Sequence, residues 1–567
     1  MKKLLFLASA LSVLLLASCS NNYSDDNASA PAPEDRTPGE YIERNKKLSV
    51  LKEITLSTSE QINFSNYEGV DYTGKKVFMT IINPDEYNNY SFHDNVNIIQ
   101  NTIKNVDISN GHYLNVPYNP PHIPITLKGT SPYTINKNMY REDSTTEPSI
   151  GDIHNFIAGT DDNKTNTTWA ANCVLKVKGK HCYVWYKEKT GIDIKPEKLQ
   201  SLATTFDSLY EIETYIFGDN YLTEQPDEGL IDVTNPDTKI NIIVYDLFND
   251  LEKTKADQAG TFGYFWDLDF SKEDEVYKGI TYYSNKCQCL HIDSYFLEVS
   301  EKQQQSTIAH EFQHLLHYVN KTLKNKQSDG TFKYSDTWFN EMMSMVCEDI
   351  MQSQIGLEDW ASPKARLSLF NQTYYMGFGK WRNSDDVYVS YANAYAFGAY
   401  LLRNFGIDFI KYVATNEYLN DEAIEQAYHT LNPDTSLEYN LSFILKDYYN
   451  AVLNPKETEY TLNKTATETY NIAGKDVTFT CSAINLFDYV TIPAEAMTPD
   501  LAESLYQGSK YRDYKGPVIL NNKYFNSLDP YGMQVSYLGI IGEDIWSYSW
   551  NSKLKYSNNI YKLVIIE

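Results

Sequence analysis

The sequence predicts a multidomain protein. An α+β body, a small sheet followed by a mainly helical half, is flanked by N- and C-terminal all-β modules. Three observations predict this. At 567 residues the chain is longer than one compact core organises. Its apolar periodicity changes along the chain, from short alternating runs to buried strands interleaved with a helix, then to a long helical stretch and back to strand-like runs. Strands followed by a run of helices is the α+β order. A hydrophobic content of 42 % excludes a mostly disordered chain.

The elements follow in order. Lys2 and Lys3 precede an apolar run over residues 4–16, and Leu16-Ala17-Ser18-Cys19 resembles the lipobox of bacterial lipoproteins. Residues 1–18 therefore read as a lipoprotein signal peptide, with Cys19 as the lipid-bearing residue. The run is shorter than the ~20 residues a spanning helix needs. The expected location is outside the cell on the bacterial membrane. Ser20 in place of Asp favours the outer membrane or cell surface over the inner membrane. Residues 19–49, rich in Asn, Asp, Ser, Pro and Ala, read as a flexible tether. Residues 50–170 form the N-terminal β-module, with alternating runs such as residues 76–82 between Asn-, Gly- and Pro-rich turns. Its His93, His112, His122 and His154 lack ligand spacing.

The body spans residues 171–455. Strands are expected at 181–186, 239–247 and 290–293. A helix over 195–217 carries Leu199, Leu202, Phe206 and Leu209 on one face. Helices dominate residues 304–453, with a turn-rich insertion around 374–386. Residues 456–567 return to β character and read as the C-terminal β-module, ending in the strand KLVIIE.

The formal charge of −26, with no basic run that would track a phosphate backbone, argues against nucleic acid as a partner. Six cysteines follow Cys19. Cys173 and Cys182 flank the turn Lys178-Gly179-Lys180, which suggests a cross-strand disulfide. Cys287-x-Cys289 is read as having no second Cys pair or nearby His to supply a four-ligand set, and as structural cysteines on one strand face.

The chemistry concentrates in His310-Glu311-Phe312-Gln313-His314. On a helix, residues four apart share a face, so His310 and His314 present two imidazoles to one metal ion and Glu311 lies beside them. Neutral imidazoles hold Zn2+, and a carboxylate takes a proton from water. An ordinary amphipathic helix with two satisfied histidines is the competing reading. A catalytic zinc needs a third protein ligand. Asn320 stands where the metzincin pattern places its third His, and His317 falls off that pattern, which suits a supporting or core role. Downstream, the segment Trp338-Phe339-Asn340-Glu341 opens an apolar helical run. The likeness of this start to a known glutamate-ligand segment makes Glu341 the expected third ligand, with Glu348 two turns later as the alternative.

The W-x-N-E start resembles the segment that supplies the glutamate ligand of gluzincins. Further residues resemble the hyicolysin-like bacterial metallopeptidases. These are Phe206-Asp207 with Phe217-Gly218, the run KINIIVYDL, Gly263-Tyr264-Phe265, Ser284-Asn285 with Ile292-Asp293-Ser294, and the helix from Tyr391 through Tyr395 to Leu401. The likeness covers residues 173–453. Ala392 and Met342 stand where that family usually has Gly, and Met342 is expected to tighten or reshape the cleft. The resemblance implies a gluzincin fold for the body and a zinc-dependent endopeptidase acting on protein or peptide substrates, with Glu311 as general base. It also implies Tyr391 as the oxyanion donor, with Tyr395 as second choice. Asp293, Asp349 and Glu348 are the acceptors expected behind the ligating histidines. Two other functions fit parts of the sequence: a lipid-anchored binding or adhesion protein on a peptidase-like scaffold, and an aminopeptidase. No GxMEN-like stretch supports the second.

Overall fold

The computed structural model describes residues 50–85, 90–91, 147–157, 160–161, 170, 172–188, 191–249, 251–252, 261–277, 280–382, 387–433, 440–453, 460–486, 517, 520–521, 527–550 and 559–566. The signal peptide, Cys19, the tether and His93, His112 and His122 lie outside them.

A six-stranded sheet forms one half of the body. Its order is Gly263–Tyr264, Cys289–Asp293, Ile240–Tyr245, Cys182–Tyr186, Cys173–Lys178 and Ile153–His154. The two central pairings, on either side of Ile240–Tyr245, are parallel, and the outer pairings are antiparallel. The INIIVY strand is apolar on both faces because both are covered. Ile240, Ile242 and Val244 join the helical core, while Ile243 and Tyr245 join a separate cluster on the other face. Helix Pro196–Phe217 opens with Pro at its first position, where no N–H is needed. It buries Leu199, Leu202, Phe206 and Leu209 as its spacing predicts.

The helical half is built on the motif helix Glu301–His317, the glutamate helix Thr337–Ile355 and the long helix Val387–Thr415, which is broken at Gly406. The glutamate helix lies between the other two. Gly398 on the long helix makes the approach possible, since a Cβ there would come within 2.5 Å of Val346 Cγ2 and 2.8 Å of Met342 Cγ. Met342 is thus taken up by the helix interface, received by a glycine across from it. Among the described residues no helix is long and apolar enough to cross a membrane.

Where the sequence predicts one β-module at each end, strands from the two ends share one sheet. Its order is Val50–Thr55, Ile560–Ile566, Lys76–Ile82, Met533–Ile540 and Leu520–Asn521. The last strand lies between two N-terminal ones, antiparallel to both. The reason is burial: six of its seven residues are buried, so it needs neighbours on both edges. Its one charged side chain, Lys562, bonds Glu53 at 3.1 Å and Asn450 at 3.2 Å. The hairpin Ala466–Ile472/Lys475–Cys481 does not join this sheet and packs on the glutamate and long helices. His154 falls on the edge strand of the six-stranded sheet.

The expected Cys173–Cys182 disulfide is corrected. Both are free thiols, as are the other four cysteines after Cys19. In the hairpin, Val174 pairs with Tyr186 and Lys178 with Tyr183, so Cys173 lies at the open end and Cys182 at the turn. They also face opposite sides of the sheet, Cys182 in the helical core and Cys173 in the other cluster.

Candidate metal centre

The motif helix is buried along its length from Ser306, which removes its histidines from water. The rings of His310 and His314 stand 4.7 Å apart and nearly perpendicular. The glutamate helix faces them with Asn340, Ser344 and Glu348, four residues apart along one face, and with Glu341, three residues before Ser344. His310 Nδ1 is bonded to Glu348 Oε1 at 2.8 Å. His314 Nδ1 meets Ser344 Oγ at 3.0 Å and Asn340 Oδ1 at 3.1 Å. With each Nδ1 engaged, both Nε2 atoms turn toward Glu341, at 3.2 Å for His310 and 3.6 Å for His314. One donor atom from each of His310, His314 and Glu341 lies within 4.8 Å of the others.

The electrostatics suit a cation at that point. Burial opposes charge on His310, but Glu341 and Glu348 outweigh it and raise the imidazole to about 10. Burial lowers His314 to about 4 against the pull of Glu341, and its Nε2 has no hydrogen-bond partner among the described residues. The arrangement thus holds one positive charge beside Glu341 and leaves one imidazole neutral. His310 and His314 would offer both Nε2 atoms to a divalent ion in place of that proton. The donor set of two imidazoles and a carboxylate, each held from behind, fits zinc with an open position.

Glu311 is fully buried, and neither of its oxygens accepts a hydrogen bond of normal geometry among the described residues. Burial pushes its carboxyl up to about 8, with the charge of His310 pulling the other way. It sits against the edge strand, which approaches closely because Gly263 lacks a side chain. A Cβ there would lie 2.9 Å from Thr307 Cγ2 and 3.2 Å from Glu311 Cγ. Beside His314 opens a cleft of about 240 Å³, lined by Phe265, Asp267, Tyr318, Tyr334, Ser335 and Asn340 among others.

Tyr391 is fully buried, with its hydroxyl within hydrogen-bonding reach of Glu341. Burial, and then the charge of Glu341, push its phenol well above the usual range. The Arg366 guanidinium lies over its ring, 5.2 Å from the centroid. Tyr395, one turn on, points elsewhere: its hydroxyl donates to Asp349 Oδ2 at 3.0 Å. Asp349 is held by Arg403 at 2.7 and 3.2 Å and takes no part behind the histidines. Asp293 instead caps the helix Ser294–Val299, accepting from Phe296 N at 3.0 Å, and also accepts from Leu247 N. His317 bonds Ser335 Oγ at 2.9 Å. Asn320 donates to Asp219 O and Leu316 O, fixing the π-helical turn Tyr318–Leu323 that ends the motif helix. Of the acceptors expected behind the histidines, Glu348 alone is placed there. Sequence reasoning missed Asn340 and Ser344, although their spacing from Glu341 and Glu348 already set them on the same face.

The sequence model of peptidase M30 matches residues 162–471, more than half of the chain. The chain is also similar to the neutral metalloprotease ShpI of Staphylococcus hyicus, with 27 % identity over 312 residues. That alignment covers 52 % of this chain and 62 % of the relative, so the match spans less than two thirds of the relative's length.

Proposed function

The chain belongs to the peptidase M30 family, and from that premise we propose that it is a zinc-dependent endopeptidase hydrolysing protein substrates outside the cell. The observation that carries this reading is the convergence of His310, His314 and Glu341 beside a buried Glu311 without a hydrogen-bond partner of normal geometry. A binding scaffold has no use for a carboxylate buried in that way, which costs stability unless the group has work to do.

His310, His314 and Glu341 would hold the zinc. Bound there, it supplies Lewis acidity, polarising a scissile carbonyl and acidifying water. Glu311 accepts a proton from the attacking water on a carboxylate oxygen and delivers it to the nitrogen of the leaving amine. Its burial, which raises its basicity, suits that exchange near neutral pH. Tyr391, kept protonated by its surroundings, donates its O–H to the developing oxyanion. Glu348, Asn340 and Ser344 orient the imidazoles. The leader and Cys19 support attachment to the membrane surface by a lipid, with the tether giving the body reach.

Unfolded casein offers a direct test, with products identified by mass spectrometry. Cuts at internal bonds that stop with a chelator and return with zinc are expected. Release of N-terminal residues alone would make the protein an aminopeptidase, and an intact substrate would overturn the reading.

A further inference from the structure

A second cluster of metal-ligating groups lies on the face of the six-stranded sheet turned away from the motif helix. Cys289 and His291 alternate with Leu290 and Ile292 along one strand, so the latter pair packs into the helical core and the former points the other way. Asp269 reaches the same point from the turn Asp267–Phe270. All three are buried. Asp269 Oδ2 lies 3.0 Å from His291 Nε2 and 3.0 Å from Cys289 Sγ, and the sulfur is 3.7 Å from the same nitrogen. A tetrahedral zinc bound to N, O and S donors sets such atoms ~3.3–3.6 Å apart.

We propose that Asp269, Cys289 and His291 form a second zinc site. The groups behind the ligands are those such a site requires. His291 Nδ1 bonds Tyr245 Oη at 3.0 Å, which leaves Nε2 for the ion. The Tyr264 ring stacks on the imidazole with centroids 4.2 Å apart. The second oxygen of Asp269 accepts from both the backbone and side-chain nitrogens of Asn285, each at 2.9 Å. A thiolate ligand beside an imidazole and a carboxylate selects zinc over the hard cations. Binding releases the Cys289 thiol proton to solvent, and Asp269 with the deprotonated Cys289 neutralises the charge of a divalent ion in a buried place.

The site ties the Asp267–Phe270 turn to the strand whose opposite face carries the motif helix. Tyr264 pairs with His291 and follows Gly263, which packs against Glu311. The ion therefore stiffens the edge strand that abuts the proposed general base. Its presence does not depend on the chain being a peptidase.

The test uses the full chain, with metal measured by elemental analysis and cobalt(II) as a spectroscopic probe. Wild type is expected to hold about two equivalents of zinc, and Glu341→Ala and Cys289→Ser about one each. The motif site contains no sulfur. Cobalt-loaded Glu341→Ala must therefore show the near-ultraviolet charge-transfer absorption of a thiolate–cobalt bond, and Cys289→Ser must lose it. One equivalent in wild type that Glu341→Ala abolishes would overturn the proposal, as would a cobalt spectrum without the thiolate band. Should Cys289→Ser fail to fold, the Glu341→Ala spectrum decides alone.

Discussion

At the residue scale, ligands and supports separate by which atom they face. Glu341 meets both Nε2 atoms, whereas Glu348 meets His310 Nδ1 and also accepts from Ser306. Glu341→Ala should abolish metal binding at the motif site. Glu348→Ala should keep it with affinity lower by about 10- to 100-fold, as competition with a zinc indicator would measure. The tyrosines separate in the same way. Tyr391→Phe should lower kcat by about 10²–10³ with little change in KM. Tyr395→Phe should act on thermal stability and leave steady-state turnover near wild type. The HExxH spacing was legible because helical periodicity sets which side chains share a face, whereas periodicity leaves Glu341 and Glu348 on one face and only the likeness of the W-x-N-E start singled out Glu341. Tyr391 and Tyr395 were not separable that way, since both lie on one helix and only Asp349 and Arg403 reveal where Tyr395 points.

At the scale of elements, Asp349 joins three of them. Its carboxylate takes Tyr395 and Arg403 from the long helix, and Arg403 continues to Ser482 O beyond the hairpin at 2.8 Å. Burial would raise this carboxyl, yet Arg403 and Lys364 hold it below the usual range. Its stabilising effect is therefore complete above the ordinary carboxylate pKa and is lost as pH falls through the lowered value. Asp349→Asn should cost about 3–5 kcal/mol at neutral pH by leaving Arg403 buried without its counter-charge. Urea titration would measure this, and the deficit relative to wild type should shrink in acid. The elements themselves were legible: the apolar INIIVY strand and the face carrying Leu199, Leu202, Phe206 and Leu209 declare their type locally. The π-helical turn at Tyr318–Leu323 was not, because Asn320 and the distant Asp219 shape it together.

Across the whole molecule, the terminal sheet is what the sequence could not announce. Ile560–Ile566 reads as a strand from its own residues, but pairing with Val50–Thr55 and Lys76–Ile82 leaves no local signal over so long a separation. The turn that leads into the Met533–Ile540 strand also reaches the candidate metal centre: the Tyr531 ring packs on Trp338, three residues before Glu341, at 5.6 Å. Deleting residues 559–567 should therefore strip hydrogen-exchange protection from Val50–Thr55 and Lys76–Ile82. Retained protection there would mean that the N-terminal strands fold by themselves. In the proposed mechanism Glu311 is the proton-transferring base of a zinc centre and no ligand of it. Purified Glu311→Gln, assayed for zinc content and casein hydrolysis beside wild type, tests it most directly. The predicted result is wild-type zinc with proteolysis lower by at least about 10²-fold, whereas near-normal proteolysis with that zinc content would contradict it.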